Sequence, residues 1–83
     1  MSSAGIAQLV QTLFPWTAGA EAGDEARLRE DLGLDSLHLV ELQMRVEDRF
    51  RVRFDPLDDG FIEAFETVGG LHRYVRRLRA DGE

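Results

Sequence analysis

The segment from residue 36 to residue 50 constrains the fold most, because its apolar residues repeat at helical spacing on two separate faces. The first row consists of Leu39, Leu42, Val46 and Phe50. The second row lies roughly 120° around the same helix and consists of Leu37, Val40 and Met44. Such a helix either is buried on two sides or keeps one apolar face exposed for a partner.

Charged residues bear on the choice between these two explanations. On the helical wheel, Glu41, Glu47 and Asp48 border the second row, which indicates that water reaches at least part of it. The basic side chains and one histidine group on another side, as His38, Arg45 and Arg49. The first row is therefore predicted to face the core, while both explanations of the second row stay open.

Three further segments are predicted to be helical. Residues 3–14 form one apolar face, with Ser2 or Ser3 as its cap and Pro15 ending it. A short helix is predicted over residues 59–65, with Phe61, Ile62 and Phe65 facing inward. The last helix is predicted to start at the cap Thr67, and its buried residues are Val68, Leu71, Val75 and Leu78.

The first connection, residues 15–35, is long for a small domain. Its apolar anchors predict an ordered loop that is pinned to the helices, and they are Trp16, Leu28, Leu32 and Leu34. The pattern as a whole predicts an all-α fold, a small antiparallel four-helix bundle with three longer helices and one short helix. At 83 residues the chain is predicted to form one domain, residues 1–83, with an ordered core over about 3–79.

Composition excludes several classes of function. The net charge of −6 argues against a nucleic-acid binder. The chain has no cysteine, and its two histidines are far apart, so neither a thiolate metal site nor a zinc site is expected. No apolar run approaches the roughly 20 residues of a membrane span. Because no signal peptide is recognisable either, we expect a cytoplasmic monomer that contacts neither membrane nor nucleic acid.

The run Asp31-Leu32-Gly33-Leu34-Asp35-Ser36-Leu37 leads directly into the helix with two apolar rows. Asp35 and Ser36 are both preferred N-caps, so the serine has a purely structural explanation. A self-activated nucleophile is not expected, because His38 is two residues away and does not share a helix face with Ser36. His72 belongs to another helix. No catalytic residue is predicted, and a serine that a separate enzyme modifies fits better.

The D-S-L triplet and the acid-rimmed helix that follows it resemble the prosthetic-group site of acyl carrier proteins. The resemblance covers the chain from about Ile6 to Leu78. It implies that Ser36 carries a 4′-phosphopantetheine arm, placed there from coenzyme A by a phosphopantetheinyl transferase. The thiol then comes with the cofactor, which agrees with a chain that lacks cysteine. The chain would be a carrier of acyl thioesters and not an enzyme.

The resemblance also implies two sets of contact residues. Partner enzymes such as synthases, ligases and reductases, with basic patches, would meet Asp35, Leu37, Val40, Glu41, Met44, Glu47 and Asp48. An acyl pocket would be lined by Leu39, Leu42, Val46, Ile62 and Val68.

The letters before the serine help to narrow the type of carrier. Peptidyl carriers typically show G-G-x-S, whereas Gly33-Leu34-Asp35-Ser36 looks like the acyl branch. The helix after Ser36 is less acidic than in typical fatty-acid carriers, and the segment between Phe50 and Thr67 is longer. A polyketide or specialised lipid pathway is therefore favoured over general fatty-acid synthesis.

Two other functions remain possible from sequence alone. The segment Asp55–Glu66 partly matches a calcium-binding EF-hand loop, with Asp59, Gly60 and Glu66 at suitable positions. Leu57 stands where a ligand is needed, and no second loop is present. The remaining alternative is a carrier-like bundle that is never modified and acts as an adaptor.

Overall fold

The computed structural model describes residues 4–19 and 23–81, and within them the chain is helical. The helices are α1 (Ala4–Leu13), a short 3₁₀ helix (Pro15–Gly19), α2 (Ser36–Phe50), α3 (Gly60–Ala64) and α4 (Val68–Asp81). Over these residues there is no β-strand, and one isolated bridge joins Arg27 to Thr67. The predicted all-α bundle with one short helix and a long first connection is confirmed. Ser2 and Ser3, the predicted caps of the first helix, lie outside the described residues.

Helix α2 has the predicted bounds, and its two apolar rows have opposite surroundings. Leu42 and Val46 are completely buried, and Leu39 is 9% exposed. In the second row Leu37, Val40 and Met44 are 80%, 55% and 63% exposed. The first row therefore packs on the core, as predicted. The second row is open to solvent, which decides against a helix buried on two sides.

The core combines residues of α1, α2 and α4 with residues of the long connection. The first part of the chain contributes Ile6, Val10 and Phe14 to this core. The largest buried side chains from the rest of the bundle include Leu28, Leu42, Leu71 and Val68. Burying apolar area of this kind is the main favourable term in folding so small a chain.

The long connection is ordered where it is described, because its leucines and its backbone are both tied to the bundle. Leu28, Leu32 and Leu34 are buried, as predicted. The Leu28 amide donates to the Glu66 carbonyl at 3.0 Å, and the Val68 amide donates to the Ala26 carbonyl at 3.0 Å. Trp16 lies at the rim, 55% exposed, and its indole N–H donates to the Leu32 carbonyl at 3.0 Å. The two backbone bonds attach the loop that precedes Ser36 to the start of α4, and the Trp16 bond attaches the loop to the 3₁₀ helix.

Helix α3 is shorter than predicted, and one of its residues faces the other way. Phe61 and Phe65 are half-buried, but Ile62 is 74% exposed, so the prediction that it points inward is wrong. The residue that turns to the core is Ala64, which is 1% exposed. Positions that are two residues apart are separated by about 200° around a helix, so Ala64 and Ile62 cannot share a face.

The start of α4 depends on small residues. Thr67 caps the helix as predicted, since its hydroxyl accepts from the Gly70 amide at 2.9 Å. A Cβ added at Gly70 would meet the Glu63 carbonyl oxygen at 2.8 Å, and one at Gly69 would meet the Asp24 carbonyl oxygen at 2.9 Å. The glycines lower helix propensity, but they let α3 and the long connection approach α4 closely.

Replacing Leu42 by alanine should lower the free energy of unfolding by about 2–5 kcal/mol, because the side chain is completely buried and would leave a cavity. Met44→Ala on the exposed row of the same helix is the matched control and should stay within about 0.5 kcal/mol of wild type. Urea denaturation followed by circular dichroism measures both. Equal losses in the two variants would contradict the assignment of the two rows.

Candidate functional site at the start of helix α2

The N-cap of α2 is Asp35, and Ser36 is the first residue inside the helix. Asp35 has extended backbone angles, and its Oδ1 accepts from the His38 amide at 2.9 Å. The Asp35 amide in turn donates to Nδ1 of His38 at 3.1 Å. This is a reciprocal capping box with histidine in the place usually held by glutamate or glutamine. Because the cap is Asp35, the hydroxyl of Ser36 is not needed to satisfy the helix end.

Hydrogen bonding keeps Asp35 ionised. The His38 backbone N–H that bonds to it lowers the pKa of the Asp35 carboxyl below its usual range, which outweighs the opposing effect of desolvation. A fixed negative charge at the first turn also suits the positive end of the helix dipole. The site therefore already holds one anion beside Ser36 before any modification.

His38 has a structural role that sequence reasoning missed. Its ring lies 5.1 Å from that of Phe14 and 5.0 Å from that of Trp16, measured between centroids. Its Nδ1 is occupied by the Asp35 amide. The D-x-x-H spacing of residues 35–38 is the available sequence signal, since a cap followed three residues later by a side chain that bonds back defines the box. The imidazole thus fixes the entry of the chain into α2.

The loop just before the site turns tightly and brings Arg29 to the serine. Gly33 has a φ of +71°, a left-handed conformation that glycine adopts without strain, and its amide donates to the Arg29 carbonyl at 3.1 Å. The Arg29 Nη2 donates to Ser36 Oγ at 3.2 Å. No periodicity in the sequence places a loop residue seven positions earlier beside the serine, so Arg29 was not predicted as a site residue.

A groove with a cavity volume of about 710 Å³ runs along α2 beside α3, and Ser36 contributes to its wall. Its apolar lining consists of Leu39, Val40, Phe61, Ile62 and Phe65. Of the residues predicted to line an acyl pocket, Leu39 and Ile62 lie in this groove. The others, Leu42, Val46 and Val68, are completely buried in the core. Ile62, whose exposure is unexpected from its sequence pattern, thus lies in the groove wall.

The second exposed surface of α2 is the apolar strip, defined as Leu37, Val40 and Met44. It borders a shallow depression whose wall also includes the acidic residues Glu41, Glu47 and Asp48. Glu47 is half-buried, and its Oε2 accepts from the Phe54 amide at 2.8 Å. This carboxylate therefore helps to hold the chain after α2, whereas Glu41 and Asp48 are exposed.

The segment Asp55–Glu66 does not fold as a cation-binding loop. Helix α3 begins at Gly60, within the segment, and the Asp58 carboxylate pairs with Arg77 and accepts from the Gly60 amide. The Asp55 carboxylate accepts from the Leu57 amide at 2.9 Å. Among residues 4–19 and 23–81, no three His, Cys, Asp or Glu side chains are grouped to hold a metal ion. Asp55 and Asp58 instead accept hydrogen bonds from backbone amides in the turn and at the start of α3.

Comparison with known proteins identifies the family of the chain. Residues 4–75 match the family described as the phosphopantetheine attachment site. The chain belongs to the phosphopantetheine-binding acyl carrier family. An acyl carrier protein of Thermotoga maritima is 40% identical over 58 residues, which cover 70% of this chain and 68% of that protein. One of Wolinella succinogenes is 40% identical over 55 residues, covering 66% and 68% respectively.

A third relative, an acyl carrier protein of Saccharopolyspora erythraea, is 50% identical over 46 residues, or 55% of this chain and 45% of that protein. Membership of the family implies a covalently attached 4′-phosphopantetheine and a carrier role. The start of α2 fits such a group, because it offers an exposed hydroxyl that the helix cap does not use, next to an open groove. None of the described helices is long and apolar enough to cross a membrane.

Replacing Asp35 by alanine should lower the urea midpoint at neutral pH, since the carrier would lose the side-chain cap of α2. The pKa of Asp35 is depressed in the folded state, so its contribution is present above the ordinary value of 3.8 and is lost as the pH falls through the lower folded value. The difference between variant and wild type should therefore shrink in acid.

Ser36→Ala is the matched control for this cap and should leave the midpoint almost unchanged at both pH values. A midpoint that falls as far in Ser36→Ala as in Asp35→Ala would show that the hydroxyl is the cap. Chemical denaturation at pH 7 and at a pH below 3 provides the measurement.

Proposed function

We propose that this chain is an acyl carrier whose 4′-phosphopantetheine arm is attached to Ser36. The observation that carries the proposal is that Asp35, and not Ser36, caps the start of α2. Asp35 supplies the cap, and the exposed Ser36 has a hydroxyl that the helix end does not use. A hydroxyl in that position can enter the active site of another enzyme without unfolding α2.

The modification is a transfer from coenzyme A that a phosphopantetheinyl transferase performs. The Oγ of Ser36 forms a bond to the phosphorus next to the pantetheine, and the bond from that phosphorus to the nucleotide half breaks. A base of the transferase accepts the serine proton. The nucleotide half leaves with the electron pair of the broken bond. The cofactor supplies the thiol that holds acyl groups as thioesters, while the chain positions and presents it.

The apolar strip and its acidic rim form the proposed partner surface. Leu37, Val40 and Met44 would pack on a transferase, synthase, ligase or reductase. Basic patches on those enzymes would face the exposed rim carboxylates Asp35, Glu41 and Asp48. The half-buried Glu47 borders the same depression. Exposed rim charges govern association rate and salt sensitivity more than final affinity, which suits a carrier that must release each partner.

We further propose a monomer that acts as a single carrier domain in the cytoplasm, with its cargo lying along the groove beside Leu39 and Ile62. A polyketide or specialised lipid pathway is favoured over general fatty-acid synthesis. What supports this is the basic content of α2, at Arg45 and Arg49, and the long aromatic segment that carries Phe61. That segment forms much of the groove wall.

Coexpression with a broad-specificity phosphopantetheinyl transferase should add the mass of one phosphopantetheine to the intact protein, and Ser36→Ala should abolish the addition. Intact-mass spectrometry measures both, with a known carrier as the positive control in the same cells. An unmodified wild type beside a fully modified control would refute the carrier function and favour the unmodified adaptor.

Replacing Met44 by glutamate should slow transfer of the arm by roughly tenfold or more, because a charge in the centre of an apolar contact is costly on desolvation. Leu57→Glu is the matched control, since Leu57 is 91% exposed and does not line the depression beside the apolar strip. It should be modified at the wild-type rate. Equal rates for the two variants would remove the strip from the partner surface, and circular dichroism checks that both keep their helices.

A further inference from the structure

Arg29 is a cation in direct contact with the proposed attachment point, and its charge also acts on the neighbouring Asp35 carboxyl. Its Nη2 donates to Ser36 Oγ at 3.2 Å. Within residues 4–19 and 23–81 it forms no ion pair with a carboxylate. The neighbouring Arg27 differs, because it pairs with Glu30 at 2.6 Å and with Asp31 at 3.7 Å. Glu30 and Asp31 thus pair with Arg27, and the Arg29 guanidinium is directed at the serine.

The backbone around Arg29 is fixed, so the contact does not depend on a mobile loop. The Leu34 amide donates to the Leu28 carbonyl at 3.0 Å, and the Gly33 amide donates to the Arg29 carbonyl at 3.1 Å. Leu28 itself is completely buried. Arg29 therefore extends from an anchored turn, with its side chain exposed between the turn and the start of α2.

The helix end cannot serve the phosphate well, because Asp35 already occupies it. The Asp35 carboxylate caps the helix and accepts from the His38 amide. A phosphodiester on Ser36 places a second negative charge next to this carboxylate, and like charges at short range repel. A nearby guanidinium offsets the repulsion and offers paired N–H donors that suit phosphate oxygens.

We propose that Arg29 binds the phosphodiester on Ser36 and thereby directs the arm into the groove between α2 and α3. Arg29 and Ser36 both contribute to the wall of that groove, as do Phe61 and Ile62, whereas the wall beside the apolar strip includes neither Arg29 nor Ser36. An arm whose phosphate is held by Arg29 starts on the groove side of α2. Arg29 is then a positioning residue. Leu37 and Met44 of the apolar strip do not line that groove and stay uncovered for partner enzymes.

This inference rests on the proposed function, so the first measurement separates the two. Wild type, Arg29→Gln and Arg76→Gln are each loaded with the arm and checked by intact mass. Arg76→Gln is the matched control, since it removes the same charge from an exposed position on α4. A wild type that takes no arm overturns both proposals. Once loaded proteins are in hand, spectra test Arg29 alone.

The decisive measurement is nuclear magnetic resonance of the loaded proteins. The phosphorus signal of Arg29→Gln should move away from that of wild type, and Arg76→Gln should coincide with wild type. Attaching the arm should shift the amide signals of Phe61, Ile62 and Phe65 in wild type. In Arg29→Gln these shifts should shrink by roughly two- to fivefold, the range expected for an exposed ion pair.

Salt provides a second readout that a purely structural role of Arg29 would not change. Raising sodium chloride from about 20 mM to about 500 mM should move the wild-type phosphorus signal toward that of Arg29→Gln, because screening weakens exposed charge pairs. The variant signal should hardly move. Coincident phosphorus signals at low salt, or groove shifts of equal size in both proteins, would overturn the role of Arg29.

Discussion

The reciprocal hydrogen bonds between Asp35 and His38 are the interaction on which the site depends. A helix start has unsatisfied amides, and a serine placed there ordinarily turns its hydroxyl back to bond one of them. Here the carboxylate of the preceding residue takes the His38 amide, and the imidazole takes the Asp35 amide. The Ser36 hydroxyl is therefore not required as the cap of α2. Asp35 and His38 stabilise the start of α2, and Ser36 keeps its hydroxyl available.

The imidazole is held in turn by α1 and the 3₁₀ helix, so the cap is connected to the core. Phe14 is 2% exposed and packs edge-on against the His38 ring, and Trp16 covers that ring from the other element. The indole also bonds to the Leu32 carbonyl in the loop that leads to the site. Aromatic contacts of this kind fix both position and angle. The first part of the chain thus positions a serine that lies well after it in sequence.

Much of the fold could be predicted because it follows from periodicity and strong local signals. The two rows of α2, the Thr67 cap and the buried Leu28 all follow from residue type and spacing. The orientation of Ile62 could not be predicted, because a helix of five residues has too few turns to define a face. In the structure Ala64, and not Ile62, packs against the core. The prediction that Ser36 carries the arm comes from its local motif. The roles of Arg29 and His38 depend on how a loop closes and how rings stack, which spacing along the chain does not report.

The position of Trp16 has a consequence for spectroscopy. It is the sole tryptophan of the chain, it is half open to solvent, and its ring lies 5.0 Å from the imidazole that completes the α2 cap. Its indole nitrogen also lies 3.8 Å from the position where a Cβ on Gly33 would stand. Intrinsic fluorescence of this protein is therefore a local signal from the loop and helix start that present Ser36. A change in its emission reports events at that end of the bundle, and global unfolding is only one of them.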